Sequence, residues 1–196
     1  TAHCGLPLGD AKNEIIETAL ELGHRYLITG VPPGGQEDYT TTDQVKAIAE
    51  QYCIAADNVA PHGLQVGYHN HDWDLAEFEG QPSYHTFLSH TPESVLWEAD
   101  LFWIARAGID PAGFLQEIGP RGKVLHFKDG HITDRSIEIP YLPAGQGEVD
   151  LIAAAQAAKD AEYIAVELDA YDGNMFKAVE KSYLYLTENK IAGNKK

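Results

Sequence analysis

The sequence predicts one α/β domain, a TIM-type (β/α) barrel of about six βα units over residues 1–196, and three observations predict it. Short apolar, β-branched or aromatic runs alternate with longer segments of helical period, the pattern of repeated βα units. The candidate strands are apolar until their last residues and then carry titratable side chains, as in a parallel barrel whose strands open on one mouth. At 196 residues, 44% of them hydrophobic, the chain can bury one sizeable core but not two comfortable domains.

Residues 12–22 place Ile15, Ile16, Ala19 and Leu22 at helical spacing, and 24–30 read as a strand. Val31-Pro-Pro-Gly-Gly35 is a loop by its Pro/Gly chemistry. Thr42 or Asp43 is the expected N-cap of a helix running to about residue 59. A strand over 64–69, a polar loop, a short helix near 84–89 and a strand over 94–99 follow. Asp110-Pro111 introduces a helix over 111–118. Beyond it are a strand over 123–127, a long loop over 129–147 with Pro140 and Pro143, and a helix over 149–158. A strand over 163–168 and a closing helix over 175–188 complete the series, and 189–196 read as a frayed tail. Residues 1–4 read as the end of a further strand. Six units result where a closed barrel has eight, so two units are expected upstream, or something else fills their place. An uncovered strand edge invites self-association, and a homo-oligomer is one way to cover it.

The 30 acidic and 14 basic side chains give a formal charge of −16, which repels a phosphate backbone and argues against nucleic acid as a partner. No run of about 18 apolar residues exists, so no membrane-spanning helix is expected. The first residues lack the basic start and apolar stretch of a signal peptide. Cys4 and Cys53 form no CxxC and no metal-ligand spacing; they read as reduced, buried thiols, and a cytoplasmic location is the expectation.

Side chains alternate along a strand, so positions i and i+2 share a face. At four carboxyl ends this brings titratable pairs into phase: His69 with His71, Glu98 with Asp100, His126 with Lys128, and Glu167 with Asp169. In a parallel barrel those ends converge where active sites lie. Carboxylates and imidazoles without a thiolate suit one hard or borderline divalent metal ion (Mn, Mg, Co or Zn), which polarises a carbonyl or hydroxyl and stabilises an enediolate. Asp100, His126 and Glu167 are its expected ligands. Several residues also have plainer explanations. His24, His62, His85, His90 and His131 read as core or rim, and Trp97, Phe102 and Trp103 as core or pocket wall. Glu98 or Asp100 alone could cap a following helix. Lys128 could simply pair with Asp129 or Glu98. Gly145-Gln-Gly147 could bring backbone N–H groups to a substrate, but it reads chiefly as a turn before a helix opening near Asp150. It lacks the third glycine of a dinucleotide fingerprint.

Five stretches carry a family resemblance: Gly67-Tyr-His-Asn-His-Asp-Trp-Asp74; Leu96-Trp-Glu-Ala-Asp-Leu-Phe-Trp103 with Ala107-Gly-Ile-Asp-Pro111; Val124-Leu-His-Phe-Lys-Asp129; Gly145-Gln-Gly-Glu-Val-Asp150; and Val166-Glu-Leu-Asp169. In this order, over about residues 64–170, they resemble the sugar phosphate isomerase/epimerase family, the xylose isomerase-like TIM barrels. The resemblance implies one divalent ion held by Glu, Asp, His and Glu from successive strands. By position Asp100 matches the Asp, His126 the His and Glu167 the last Glu. The first Glu is replaced within Tyr68-His69-Asn70-His71, so His69, His71 or the later Asp74 takes its place, with His69 the expected fourth ligand. In the family's epimerases the two glutamates move a proton on either side of a carbon next to a carbonyl. Here His69 or His71 becomes the expected base beside Glu167, because imidazole titrates near neutrality. Lys128 or His3 is expected to hold a developing oxyanion, and Trp103, Glu98 and Asp169 to join His3 in contacting substrate.

The expected function is a metal-dependent isomerase or epimerase of a small-molecule sugar or polyol, acting by proton abstraction next to a carbonyl. A metal-dependent dehydratase or lyase of a keto-sugar or inosose comes second, since imidazole in the first ligand strand resembles inosose dehydratase. A non-catalytic sugar-binding barrel comes third. A phosphodiesterase of the apurinic endonuclease kind shares the barrel, but the charge of −16 opposes its DNA substrate.

Overall fold

The computed structural model describes residues 1–192, in two compact units, Thr1–Glu98 and Ala99–Lys196. The first holds β1 (Ala2–His3), α1 (Lys12–Glu21), β2 (Tyr26–Thr29), α2 (Thr42–Val59) and β3 (Gln65–His69). A small antiparallel pair follows, β4 (Glu77–Phe78) with β5 (Gln81–Pro82), then α3 (Ser83–Ser89) and β6 (Leu96–Asp100), whose last two residues belong to the second unit. Strands β1, β2, β3 and β6 run parallel in that order, with His3 level with Ile28, Thr29 with Tyr68, and His69 with Glu98.

Every residue of β2 is buried, as are Val66, Tyr68, Leu96 and Trp97 on its neighbours. Continuous apolar runs of this kind are what parallel strands need when both faces are covered. Helix α2 supplies cover through Val45, Ile48, Ala49, Tyr52, Ala55, Ala56 and Val59, a stripe of helical period. Its N-cap is Thr41 and not Thr42 or Asp43: Thr41 alone has the extended backbone the cap needs, and its hydroxyl accepts from the Gln44 N–H at 3.3 Å. The β4–β5 turn is built on Glu79 and Gly80, both at positive φ, the conformation that matches strand twist in a two-residue hairpin.

The second unit contains α4 (Leu101–Arg106), α5 (Pro111–Ile118), β7 (Gly122–Phe127), β8 (Asp129–Gly130), β9 (Tyr141–Leu142), α6 (Leu151–Ala157), β10 (Tyr163–Val166) and α7 (Met175–Glu188). β7 and β10 are parallel, with His126 level with Ala165. Helix α5 has the expected bounds, capped by Asp110 through the Ala112 and Gly113 N–H groups. Helix α4 was not expected, because its apolar residues continue the run of β6 without a visible period.

The expected loop over 129–147 contains the antiparallel pair β8 and β9. Its return is anchored by one carboxylate. Asp129 accepts from the N–H groups of Gly130 (2.8 Å), Gly145 (2.8 Å), Gly147 (3.0 Å) and Val149 (3.1 Å). The Gly145 and Gly147 amides are therefore committed to Asp129, which corrects the idea that they approach a substrate. A Cβ at Gly147 would run into the Asp129 carboxylate and the Gly130 amide, so the close approach requires glycine.

Helix α7 is closed by Lys190 at φ 57° and an Ile191 N–H to Leu186 carbonyl bond of 2.9 Å. Residues 189–192 are thus hydrogen-bonded onto the helix end and not frayed; residues 193–196 of the expected tail lie outside those described. Cys4 and Cys53 are free thiols and only half-buried, less enclosed than expected. Among the described residues no helix is long and apolar enough to cross a membrane.

Candidate metal centre and active site

In the second unit, the ends of β6, β7 and β10 deliver Asp100, His126 and Glu167, whose donor atoms lie within 4.8 Å of one another. Asp100 is fully buried and divides its two oxygens. One accepts from the Trp103 N–H (3.0 Å), capping α4; the other faces His126 Nδ1 at 3.6 Å and Lys128 Nζ at 3.8 Å. The expected helix-capping contact of Asp100 thus occupies one oxygen and leaves the other directed at His126 and Lys128.

Lys128 is buried at the centre of these carboxylates. Its ammonium lies 2.8 Å from Glu167 Oε2, pairs with Asp169 Oδ2, and sits over the rings of Tyr141 (4.7 Å) and Trp103 (4.9 Å). The expected alternative of pairing with Asp129 is not realised, since Asp129 serves backbone amides. Burial works against the charged lysine, but Asp100, Glu167 and Asp169 outweigh it and hold its pKa above the ordinary value. Burial pushes the Glu167 carboxyl up, opposed by Lys128. For Asp169 burial is overcome by the Lys128 hydrogen bond and charge, which hold it below the usual range. The Tyr141 phenol is pushed up by burial and by its bond to Asp169. Tyr141 was not anticipated: only the β8–β9 pairing, invisible in a proline-containing loop, brings it to Lys128.

In the first unit, the β3–β6 register sets His69 beside Glu98, with His69 Nδ1 3.0 Å from Glu98 Oε2. His3 Nε2 bonds the same carboxylate oxygen, so both imidazoles and Glu98 share one cluster. Gly30 makes room for the His69 ring: a Cβ there would sit 3.1 Å from His69 Cδ2. Glu98, expected to contact substrate, is thus grouped with His69 and His3.

His71 stacks on Trp73 with ring centroids 5.6 Å apart, and its backbone N–H donates to the Asp74 carboxylate (3.0 and 2.9 Å). Its Nδ1 lies 3.6 Å from Asp74 Oδ2, and the Tyr68 hydroxyl donates to the same oxygen at 3.0 Å. Asp74, an expected substitute for the family's first glutamate, belongs to neither donor cluster among the described residues; it orders the turn carrying His71. Complete burial lifts its pKa to about 6, against the opposing contacts of His71 and Tyr68. A carboxyl raised by folding favours the protonated fold. That contribution is present in full below its ordinary value of 3.8 and is lost as pH rises through about 6. Asp74→Asn should therefore flatten the pH dependence of the melting temperature across this interval; an unchanged slope would show that Asp74 titrates normally.

No protein-family model matches the chain, and no curated protein matches it. Among solved structures it resembles a sugar phosphate isomerase/epimerase from Parabacteroides distasonis, with a TM-score of 0.73 and 21% identity over 97% of this chain and 71% of that one. A crystal structure of the IOLI protein with a bound zinc atom gives a TM-score of 0.71 at 17% identity, over 97% of this chain and 75% of that one. The probable 3-DHS dehydratase AsbF of petrobactin synthesis, from Bacillus anthracis, gives 0.68 at 16% identity, over 96% and 75%. Likeness at these identities speaks to architecture, and with six strands alternating with helices it identifies the chain's fold as that of the xylose isomerase-like TIM barrels.

Proposed function

We propose that this chain is a metal-dependent isomerase or epimerase that moves a proton next to the carbonyl of a sugar or related polyol. The observation that carries the reading is the convergence of Asp100, His126 and Glu167 within 4.8 Å, beside a buried ammonium. Two carboxylates and one imidazole fit a hard or borderline divalent cation (Mn, Mg, Co or Zn) and leave positions for substrate oxygens. Those three residues would hold the ion, which when bound supplies polarisation of a carbonyl and stabilisation of the charge developing on it.

The chain's own residues supply the rest. Glu167, its carboxyl raised by burial against the opposing charge of Lys128, is placed to exchange a proton with substrate. Lys128 remains charged and is placed to offset a developing oxyanion. Trp103 and Tyr141 form an aromatic wall against which an apolar sugar face can lie, and Asp169 orients Lys128 and offers an acceptor to substrate hydroxyls. In the first unit His69 and His71 are the further proton carriers, with His71 oriented by Asp74 and Trp73, and His3 and Glu98 the substrate contacts.

A dehydratase of a keto-sugar is the second reading, favoured by imidazoles standing where the family has its first glutamate and by the likeness to AsbF. Incubating the metal-loaded chain with a panel of ketoses, aldoses and inososes in heavy water separates the readings. Deuterium at the carbon next to the carbonyl is expected, reduced roughly 10²–10⁴-fold by Glu167→Gln; an unsaturated product would select the dehydratase. Sugar binding without exchange would leave only a binding barrel.

A further inference from the structure

The solvent side of the second-unit centre is lined by carboxylates, and the Lys128 ammonium lies beneath them. The Glu167 and Asp169 side chains are 27% and 50% exposed, whereas Lys128 is 1% exposed and pairs with both. With Asp100, three carboxylates face this ammonium. They leave an excess of two negative charges, which a divalent ion held by Asp100, His126 and Glu167 would cancel without reversing. Trp103 and Tyr141 flank the same ammonium at 4.9 and 4.7 Å and add two aromatic faces to the lining. We propose, taking the isomerase or epimerase function as given, that the substrate is an uncharged polyhydroxy ketone or aldehyde. It carries neither phosphate nor carboxylate, and Asp169 is the residue that selects it.

An anionic group meets Asp169 and Glu167 before it can reach Lys128, whose charge they already engage, and like charges brought together at a binding site cost affinity. A phosphate monoester, with close to two negative charges at neutral pH, needs backbone amides or guanidinium groups in return. The glycine turn that could offer amides gives the Gly145 and Gly147 N–H groups to Asp129, at 2.8 and 3.0 Å. Arg106 donates to the His131 carbonyl at 2.9 Å, and Arg135 to the Arg106 carbonyl. A neutral polyol suits the same lining. Asp169 turns one oxygen to Lys128, and the Tyr141 hydroxyl bonds the same side chain. A carboxylate held in this way accepts from sugar hydroxyls through its remaining lone pairs, while the Trp103 and Tyr141 rings receive a C–H face of the sugar.

The test sets ketohexoses and ketopentoses, fructose and xylulose among them, against their own terminal phosphate monoesters on the metal-loaded full chain. Affinity by calorimetry and deuterium uptake next to the carbonyl are read separately. The free sugars are expected to lead on both by at least about 10²-fold, and the gap should shrink as salt is raised to about 0.5 M. Asp169→Asn should narrow the gap roughly tenfold, chiefly by improving the phosphate esters. Equal or tighter binding of the esters would overturn the proposal, and with deuterium uptake intact it would leave the isomerase reading standing. Free sugars bound in preference, without uptake, would uphold the choice of ligand and sink that reading instead. A gap that Asp169→Asn leaves unmoved would overturn the selecting role of Asp169, and one that salt also leaves unmoved would overturn the charge basis of the choice. Binding of neither form would overturn the proposal outright.

Discussion

Asp100→Asn is expected to leave the chain folded while abolishing metal binding at its centre and lowering turnover by roughly 10³-fold or more, the scale of several kcal/mol of charge stabilisation. The reason lies in the division of labour within one carboxylate. Oδ1 accepts from the Trp103 N–H at 3.0 Å and starts α4, while Oδ2 faces His126 and Lys128. Asparagine and aspartate cap helices about equally, so the amide preserves the first contact and removes the charge needed for the second. Asp100→Ala removes both and should cost about a further 1 kcal/mol from the lost cap. Melting curves in chelator, with metal content and turnover on the same preparations, separate the effects. If Asp100→Asn keeps its metal and its rate, Asp100 is a cap alone.

Much of this centre was legible because alternation along a strand is a local rule. Once the runs ending at Asp100, His126 and Glu167 are recognised as strands, their titratable partners two residues away fall on the same face. What stayed hidden depends on contacts between distant segments. The grouping of His69 with Glu98 follows from the β3–β6 register, which no single strand encodes. Asp129 reads like any polar residue at a strand end, yet its four backbone partners span Gly130 to Val149. Tyr141 lies in a stretch whose prolines signal a loop, and only its pairing through β9 brings it over Lys128. The short helix α4 escaped for a different reason: five apolar residues and an arginine directly after a buried strand show neither the length nor the period of a helix.

Lys128→Met tests the most consequential of these long-range contacts, and its largest effect should be on stability. Methionine has similar length and can keep the packing against Trp103 and Tyr141, so the change removes mainly the charge. Breaking a buried ion pair by deleting one partner costs several kcal/mol, because the remaining charges stay desolvated. Here about 3 kcal/mol is expected, the low end of that range, since Glu167 and Asp169 are partly exposed and solvent screens them. The pH window follows from the shifts. Lys128, raised by folding, contributes in full below the ordinary lysine value of 10.5 and loses that contribution as pH rises through its higher folded value. Asp169, lowered by folding, contributes above 3.8 and loses it as pH falls through its lower folded value. Between these limits the wild type keeps the pairing. In the variant the crowded carboxylates bind protons more readily, so the deficit in melting temperature should be greatest near pH 7–8 and shrink towards pH 4–5. A divalent cation should also restore much of the loss, because it neutralises the carboxylates the ammonium has left. The variant should bind that cation more tightly than the wild type while turning over roughly 10²–10³-fold more slowly, having lost the charge that offsets the oxyanion. Equal melting temperatures at pH 7.5 in chelator would show that Lys128 is not the counter-ion of this cluster. Tighter metal binding with slower turnover would show that the lysine's charge serves the reaction at the expense of the ion's affinity.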